Sequence, residues 1–248
     1  SGLQDPPDLE KRVICGVPFP DMLSECQRGE PGNAFHYSNF GYGLIGCLLE
    51  AVRDEPVSRV LDETVFQPLR MRATLDASTL NESDIMPITR ILPWREGQDL
   101  TITELGKIPL RNPDPLRHYG HTAGSMYTDI DSLHTLLNCL MSGGNSLLSD
   151  SLLRETRKVH AEYGSLSPTL SYGLGLLIIQ DSCLSDSRIL GHQGFAYGCA
   201  DGAFWVESTG NTVIFLNGGA SEARTGRLGL CNRDILRLFL QKEFPNWK

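Results

Sequence analysis

The chain lacks a long apolar run. Nothing in its 248 residues approaches the roughly 18 consecutive apolar residues of a membrane-crossing helix. The best run, Leu174 to Gln180, has the length of a strand. Positive charge is also short: 22 Lys and Arg stand against 30 Asp and Glu, a formal net charge of -8. With no Arg/Lys stripe, general nucleic-acid binding is excluded. Paired cysteines are absent too. Cys15, Cys26, Cys47, Cys139, Cys183, Cys199 and Cys231 are scattered, odd in number and contain no C-x-x-C pair. Neither a disulfide framework nor a zinc site is expected, and reduced, mostly buried thiols in a reducing, cytoplasmic compartment are expected instead. The six histidines contain no H-E-x-x-H. His118 and His121 are three apart, but Pro113, Pro115 and Gly120 around them read as loop, so no metal and no cofactor is expected. Finally, no lysine has a serine three residues before it. Lys11, Lys107, Lys158, Lys242 and Lys248 are preceded at that spacing by Asp8, Glu104, Glu155, Phe239 and Pro245. A serine and a lysine one helical turn apart are therefore excluded.

What is present is ordinary for a globular chain: 40% hydrophobic and 21% charged residues, enough for a sizeable core in one large domain or two small ones. The first residues show no charged-then-apolar signal pattern, and the chain reads as beginning inside a longer polypeptide. Residues 1 to about 34 read as loop with short helical pieces. Gly41 to Arg53 has apolar residues at helical spacing and ends near Asp54-Glu55-Pro56; Val57 to Val65 repeats the pattern. Residues 75 to about 120, with prolines at 87, 93, 109, 113 and 115, read as long loops with short strands. A helix capped by Asp129 and stopped by Gly143-Gly144 is expected next, then one from Ser149 to Val159 capped by Ser149 or Asp150. In the last third the period changes. Tyr172–Ile179, Gly202–Glu207 and Thr212–Asn217 read as consecutive antiparallel strands, and Asn232–Phe244 as a closing amphipathic helix. There is no internal repeat and no low-complexity segment.

Two motifs carry chemistry. Tyr37-Ser38-Asn39 opens the first long helix, and Gly191-His192-Gln193-Gly194 follows about 150 residues later. Taken alone, Tyr37 could be a core aromatic, Asn39 a helix N-cap and His192 a strand-edge histidine. Their company argues otherwise. Ser1-Gly2-Leu3, Pro31 to Gly46, Phe66 to Thr74, Ala123 to Asp131, Tyr172-Gly-Leu-Gly175, Gly191 to Gly194 and Asn217-Gly218 stand in one order along nearly the whole chain. In that order the chain resembles the serine β-lactamase-related family, which includes class C β-lactamases, penicillin-binding proteins, family esterases and D-amino-acid peptidases. Arg70 stands where glycine is usual. The resemblance implies an α/β, β-lactamase/transpeptidase-like fold in a single domain over 1–248. A mostly helical part would cover about 30–160, and an antiparallel sheet with its C-terminal helix about 170–248. The N-terminal portion would be missing.

The resemblance also implies roles. The family's nucleophile motif, Ser-x-x-Lys, lies upstream of the Ser-Gly-Leu segment, and this chain starts just after it. Tyr37 would shuttle a proton, a task for which a phenol with an unperturbed pKa of about 10 needs a neighbouring ammonium. Asn39 would hydrogen-bond the lysine or the substrate amide. His192 stands in the place of a strand lysine. Losing that permanent cation speaks against efficient β-lactam hydrolysis and suits ester or D-peptide substrates. Gly194 would let backbone approach, and the Phe195 N–H would be an oxyanion donor. Gln193 is grouped with them as substrate-binding. The expected partners are a small-molecule or peptide substrate and the missing upstream segment in trans, with no nucleic acid and no membrane span. The chain alone is expected to be inactive. The alternative is a catalytically dead module of the same fold that binds a peptide or a partner protein. Gly219-Ala-Ser-Glu-Ala223 is nearly a G-x-S-x-G elbow, but Ser221 reads as a turn. Residues 221–227 read as a solvated loop, with Arg224 as an alternative contact for a substrate carboxylate.

Overall fold

The computed structural model describes residues 1–86, 106, 108–142, 147–163, 169–196, 198–221, 223–225 and 227–240. Most of the proline-rich stretch, the Gly143-Gly144 stop and the last residues of the closing helix lie outside the described residues. The chain divides into two compact units, Ser1–Ile85 with Arg95–Asp129, and Met86–Trp94 with Ile130–Lys248.

The first unit is helical. Its elements are α1 (Leu9–Ile14), α2 (Leu23–Cys26), α3 (Asn39–Arg53) and α4 (Val57–Leu61), the last running into a π turn over Asp62–Phe66. Two short strands, β1 (Ala73–Thr74) and β2 (Tyr127–Thr128), pair antiparallel. Helix α3 is the organiser. Ser38 caps its start, its Oγ accepting from the Gly41 N–H at 2.9 Å, and Asp54 ends it in the left-handed region. Its buried line, Phe40, Gly43, Gly46, Cys47 and Glu50, has the three-and-four spacing of one helix face. The two glycines let backbone come close. A Cβ on Gly43 would stand 1.5 Å from the Tyr119 carbonyl oxygen, and one on Gly46 would stand 2.5 Å from Thr122 Oγ1. Tyr119 thereby meets Phe40 edge-on at 5.7 Å between ring centroids and donates its hydroxyl to the Val17 carbonyl at 2.9 Å. These two rings, with Leu9, Val13, Met22, Cys26 and Cys47, form the unit's main core.

Below this core sits a polar hub. Glu50 is fully buried and accepts from Val57 N (2.8 Å), Asp114 N (3.0 Å) and His118 Nδ1 (2.8 Å). The His118 ring stands edge-on to His121 at 5.6 Å. His121 is also buried, and its Nε2 meets no hydrogen-bond partner among the described residues. Burial, helped by the neighbouring His118, pushes the His121 imidazole down to about 4.

The second unit is built on a sheet. Helices α5 (Ile130–Ser142) and α6 (Asp150–Thr156) precede six strands: β3 (Ala161–Glu162), β4 (Thr169–Tyr172), β5 (Leu177–Gln180), β6 (Ile189–Ala196), β7 (Cys199–Val206) and β8 (Thr212–Phe215). They pair in chain order, every neighbour antiparallel. A small pair, β9 (Arg224–Thr225) with β10 (Leu228–Gly229), leads into α7 (Leu230–Leu240). Leu137 and Met141 of α5 pack on Leu176, Ile178 and Leu190 to make the core. The unit boundary falls at Asp129, so α5 and α6 go with the sheet although a helical part reaching about 160 was expected. The expected strand Tyr172–Ile179 is instead a hairpin. A Cβ on Gly173 would stand 2.0 Å from the Thr156 carbonyl oxygen, Gly175 has φ 76°, and Gly173 N donates to Leu176 O at 2.8 Å, so the chain turns there. Ser149, not Asp150, caps α6.

None of the seven cysteines is in a disulfide, but only Cys26, Cys47 and Cys139 are buried; Cys199 and Cys231 are half-buried and Cys15 and Cys183 exposed, so the expectation of mostly buried thiols holds for three. Among the described residues no helix is long and apolar enough to cross a membrane, and no cluster could hold a metal ion.

Two outcomes follow from the first unit. Gly43→Ala should lower stability by about 3 kcal/mol, because the added methyl has no space beside Tyr119; urea denaturation measures this, and a near-neutral result would show that α3 does not rest on that carbonyl. His121 is held neutral, so its contribution is present above its ordinary value of 6.5 and is lost as pH falls toward about 4. Between pH 7 and pH 5 the wild-type chain should therefore lose stability more steeply than His121→Asn. Equal slopes would refute the assignment.

Candidate functional site

Each unit carries one of the two motifs. In the first, Ser1 to Asp5 is pinned beside α2: Arg28 N donates to Gly2 O (2.8 Å), Leu3 bridges Gln27, and Gln4 N donates to Cys26 O (2.9 Å). Gly2 has φ 75°, and a Cβ there would lie 2.3 Å from Gly29 O, so glycine is required at this crossing. The segment delivers Asp5 to the start of α3. One carboxylate oxygen accepts from Ser38 Oγ (3.1 Å) and Phe40 N (2.8 Å); the other accepts from Asn39 Nδ2 (2.7 Å). An anion at a helix N-terminus is favoured by the exposed N–H groups and the helix dipole. Tyr37, just before the cap, is 40% exposed, so it is not a core aromatic. Asn39 is half-buried and is not the N-cap either; Ser38 is.

In the second unit the other motif lies on β6. Side chains alternate along a strand. His192 and Gly194 are on the exposed side and Gln193 on the buried one. The Gln193 side chain is committed inward: Nε2 donates to Arg227 O (2.9 Å), while Oε1 accepts from Gly229 N (3.0 Å) and Asn232 Nδ2 (3.2 Å). The expectation that Gln193 binds substrate is thus corrected for its side chain, which ties β6 to β10 and α7. Strand β5 pairs with β6 only as far as Gly191. On that side, residues 192–196 have no strand partner among the described residues. This stretch contains Gly194 and the backbone of Phe195, the register partner of Ala200.

His192 Nδ1 lies 2.8 Å from the Gln193 carbonyl oxygen, so Nδ1 carries the proton and Nε2 is left as an acceptor in the neutral ring. Crowding by surrounding protein lowers the imidazole from its ordinary 6.5 and the Gln193 carbonyl opposes this; the residue's own exposed surface limits the effect. His192 stands edge-on to Tyr172 (6.2 Å), Tyr172 to Tyr163 (5.5 Å), and the Arg227 guanidinium lies over Tyr163 at 4.7 Å. Neither Asp5 nor this aromatic row was found from sequence. Asp5 stands two residues after the Ser1-Gly2-Leu3 segment, and nothing in the sequence marked it. Ser221 is exposed and its Oγ accepts from Ala223 N at 3.2 Å, which is a local turn.

The two motif glycines have different reasons. Gly191 has φ 156°, and a Cβ there would stand 1.9 Å from the Ala203 carbonyl oxygen, so the sheet itself demands glycine. At Gly194 a Cβ would meet only Asp201 Cβ, at 3.6 Å, and Asp201 Oδ2, at 3.8 Å, an ordinary contact. The fold does not need glycine at 194. Gly191→Ala should cost about 3 kcal/mol of stability, whereas Gly194→Ala should stay within about 0.5 kcal/mol of wild type. Thermal melts compare them, and equal losses would remove the case for a functional glycine.

Comparison with known proteins bears on the fold and the family. The Beta-lactamase family model matches residues 19–224. A penicillin-binding protein from Bacillus halodurans superposes with a TM-score of 0.65 at 20% identity, covering 89% of this chain and 66% of its own. A D-stereospecific amidohydrolase from Streptomyces sp. gives 0.61 at 21% identity, covering 95% and 68%. The D-amino acid amidase from Ochrobactrum anthropi SV3, complexed with L-phenylalanine amide, gives 0.64 at 21% identity, covering 87% and 59%. This chain therefore spans between 59% and 68% of the length of these three relatives. The relatives share its antiparallel sheet and flanking helices, and the family match over most of its length makes the chain a member of the beta-lactamase family.

Proposed function

We propose that this chain is the larger part of a β-lactamase-family serine hydrolase that cleaves an ester, an amide or a D-peptide through an acyl-enzyme. What supports the reading is that the chain carries both motifs, a braced Tyr37-Ser38-Asn39 turn on the first unit and, on the second, His192 and Gly194 on the stretch of β6 that β5 leaves without a partner on that side. The nucleophile would be a serine from polypeptide upstream of Ser1. Its Oγ adds to the substrate carbonyl carbon as its proton passes to a basic group. Tyr37 returns a proton to the leaving alcohol or amine, and water then repeats the sequence to free the acid. The Phe195 N–H and the nucleophile's own N–H would hold the oxyanion. A neutral His192 gives no fixed cation for a carboxylate, which favours uncharged esters and amides over β-lactams.

The outer face of α3 bears on the second reading. Ile45, Leu48 and Val52 are 52%, 62% and 74% exposed, although the opposite face of the same helix is the buried line. A helix apolar on both faces wants cover on both. On the hydrolase reading, the nucleophile-bearing segment covers this face. On the other, the protein is a catalytically dead module and a partner peptide does. The intact mass of the natural product separates the two: 60 or so further residues containing Ser-x-x-Lys support the hydrolase.

Labelling tests the chemistry. A fluorophosphonate should leave this chain unmodified and should modify the upstream-extended polypeptide on the serine of its Ser-x-x-Lys. In that extended protein Tyr37→Phe should slow acylation by about 100-fold. An adduct on Ser221, or on any serine of the present chain, would show that the nucleophile is misassigned. An extended protein that stays unlabelled would leave the binding module as the better reading. The upstream polypeptide supplied in trans should raise the melting temperature of the chain, since a partner that binds the folded state stabilises it.

A further inference from the structure

Asp201 on β7 stands directly opposite Gly194 on β6, in the register that also sets Ala203 against His192. Residues opposite one another in an antiparallel pair share a face. Asp201, Gly194 and His192 therefore lie on one side of the sheet, and Gln193 lies on the other. The Asp201 carboxyl is half-buried and uses one oxygen only. Oδ1 accepts from the Asn217 N–H at 2.9 Å. Oδ2 meets no hydrogen-bond donor and no cation among the described residues. Burial raises the carboxyl above its ordinary 3.8, the Asn217 N–H opposes this, and no positive charge helps it. His192, on the same face, is not the counter-ion, because its Nδ1 proton is given to the Gln193 carbonyl. A half-buried carboxylate without a counter-ion costs stability. The fold does not use its charge, since an asparagine carbonyl could accept from the Asn217 N–H as well.

Gly194 leaves the second oxygen within reach. A Cβ at 194 would lie 3.6 Å from Asp201 Cβ and 3.8 Å from Oδ2, so any side chain there would lie beside the carboxyl and cover it. With glycine the β6 backbone next to Asp201 is bare and exposed, and β5 ends its pairing with β6 at Gly191. The missing side chain, the strand stretch without a partner on one side and the uncompensated oxygen coincide at one cross-strand pair.

We infer that Asp201 is a specificity-determining residue that receives the ammonium group of a ligand lying across Gly194. The inference rests on reading the His192–Gly194 stretch as the substrate site. It narrows the ester and amide substrates of that reading to those that carry a primary amine, which is charged at neutral pH. The ammonium donates to Oδ2 in a charge-assisted hydrogen bond and supplies the counter-ion that the fold withholds. Asp201 takes no part in bond making or breaking. It selects the ligand by charge.

The test uses the 248-residue chain at neutral pH, labelled with 15N, and follows the Gly194 and Asn217 N–H signals. The probes are benzylammonium, benzyl alcohol and benzoate, which share a ring and differ in charge. Benzylammonium should shift both signals. Benzyl alcohol should bind about tenfold more weakly, the value of one hydrogen bond to a charged group, and benzoate should shift neither signal. In Asp201→Asn the preference for benzylammonium should vanish. In Gly194→Ala benzylammonium should bind more weakly although Asp201 is intact, because the methyl covers Oδ2. Equal affinities for the ammonium and the alcohol in the wild type would overturn the inference. So would a preference that survives in Asp201→Asn, full affinity in Gly194→Ala, or no shift with any probe. Thermal melts supply an independent reading. Asp201→Asn should melt no lower than the wild type, since it removes an uncompensated charge and keeps an acceptor for the Asn217 N–H. A lower melting temperature, or failure to fold, would make the carboxylate structural and overturn its assignment to a ligand. Fluorophosphonate labelling decides the hydrolase reading separately. A labelled extended protein without the ammonium preference would overturn this inference alone, and an unlabelled one that keeps the preference would leave an amine-binding module.

Discussion

The first unit hangs on one buried carboxylate. Glu50 has no solvent, and a carboxylate without water is tolerable only when hydrogen bonds replace it. Its three donors come from residues 7, 64 and 68 positions away, so a single side chain ties α4 and the 114–118 segment to α3. The rest of the packing is consistent with that tie. With residues 114–118 drawn onto α3, Tyr119 meets Phe40, its carbonyl lies over Gly43, and Thr122 lies against Gly46. Glu50 secures the last turn of α3 while Asp5 secures the first. The Tyr37-Ser38-Asn39 turn thus begins a helix that is held at two points, with a carboxylate at each.

The second unit solves the same problem with an amide. Gln193 gives one N–H to a carbonyl and takes two N–H groups on its oxygen. Neither a carboxylate nor an ammonium could do both, since one lacks donors and the other acceptors. This pin also fixes which way β6 faces. A slip of one residue would exchange the faces of the strand, putting His192 inside and Gln193 outside. The close approach of Gly191 to Ala203 O resists the same slip from the other side of the ladder. The exposed positions of His192 and Gly194 are therefore consequences of an inward residue that lies between them.

Legibility followed the range of the physics. Helix α3 and the strands of the last third were readable because periodicity and capping are local; Ser38 capping the helix in place of Asn39 is a displacement of one residue. The hairpin at Gly173 was not readable. The apolar run continues through Leu174, and a contact that holds the turn, Leu174 N donating to the Thr156 carbonyl at 3.0 Å, comes from 18 residues earlier (174 minus 156). Asp5 and Glu50 were invisible for the same reason. A lone acidic residue in a sequence carries no mark of burial, and their partners lie up to 35 and 68 residues away. Gln193 is different. The motif drew attention to four consecutive residues, yet a strand turns neighbours to opposite faces, so His192 and Gln193 could not both face one ligand with their side chains. That signal was present in the sequence.

The two motifs share a device that neither shows in its sequence. Asn39 and His192 each carry donors and an acceptor, and in each the fold has committed one donor: Asn39 Nδ2 to the Asp5 carboxylate, and His192 Nδ1 to the carbonyl of the next residue. What remains on neutral His192 is the Nε2 lone pair, and on Asn39 the Oδ1 lone pairs with the second N–H of Nδ2. A neutral acceptor attracts N–H and O–H groups and repels a carboxylate, whereas a lysine in either place would do the reverse. The downward direction of the His192 imidazole keeps that lone pair free at neutral pH. A carboxylate at Asn39 and a backbone carbonyl at His192 each hold one side chain by a single short hydrogen bond, so both orientations are set by the fold around the motif and not by the motif residues themselves.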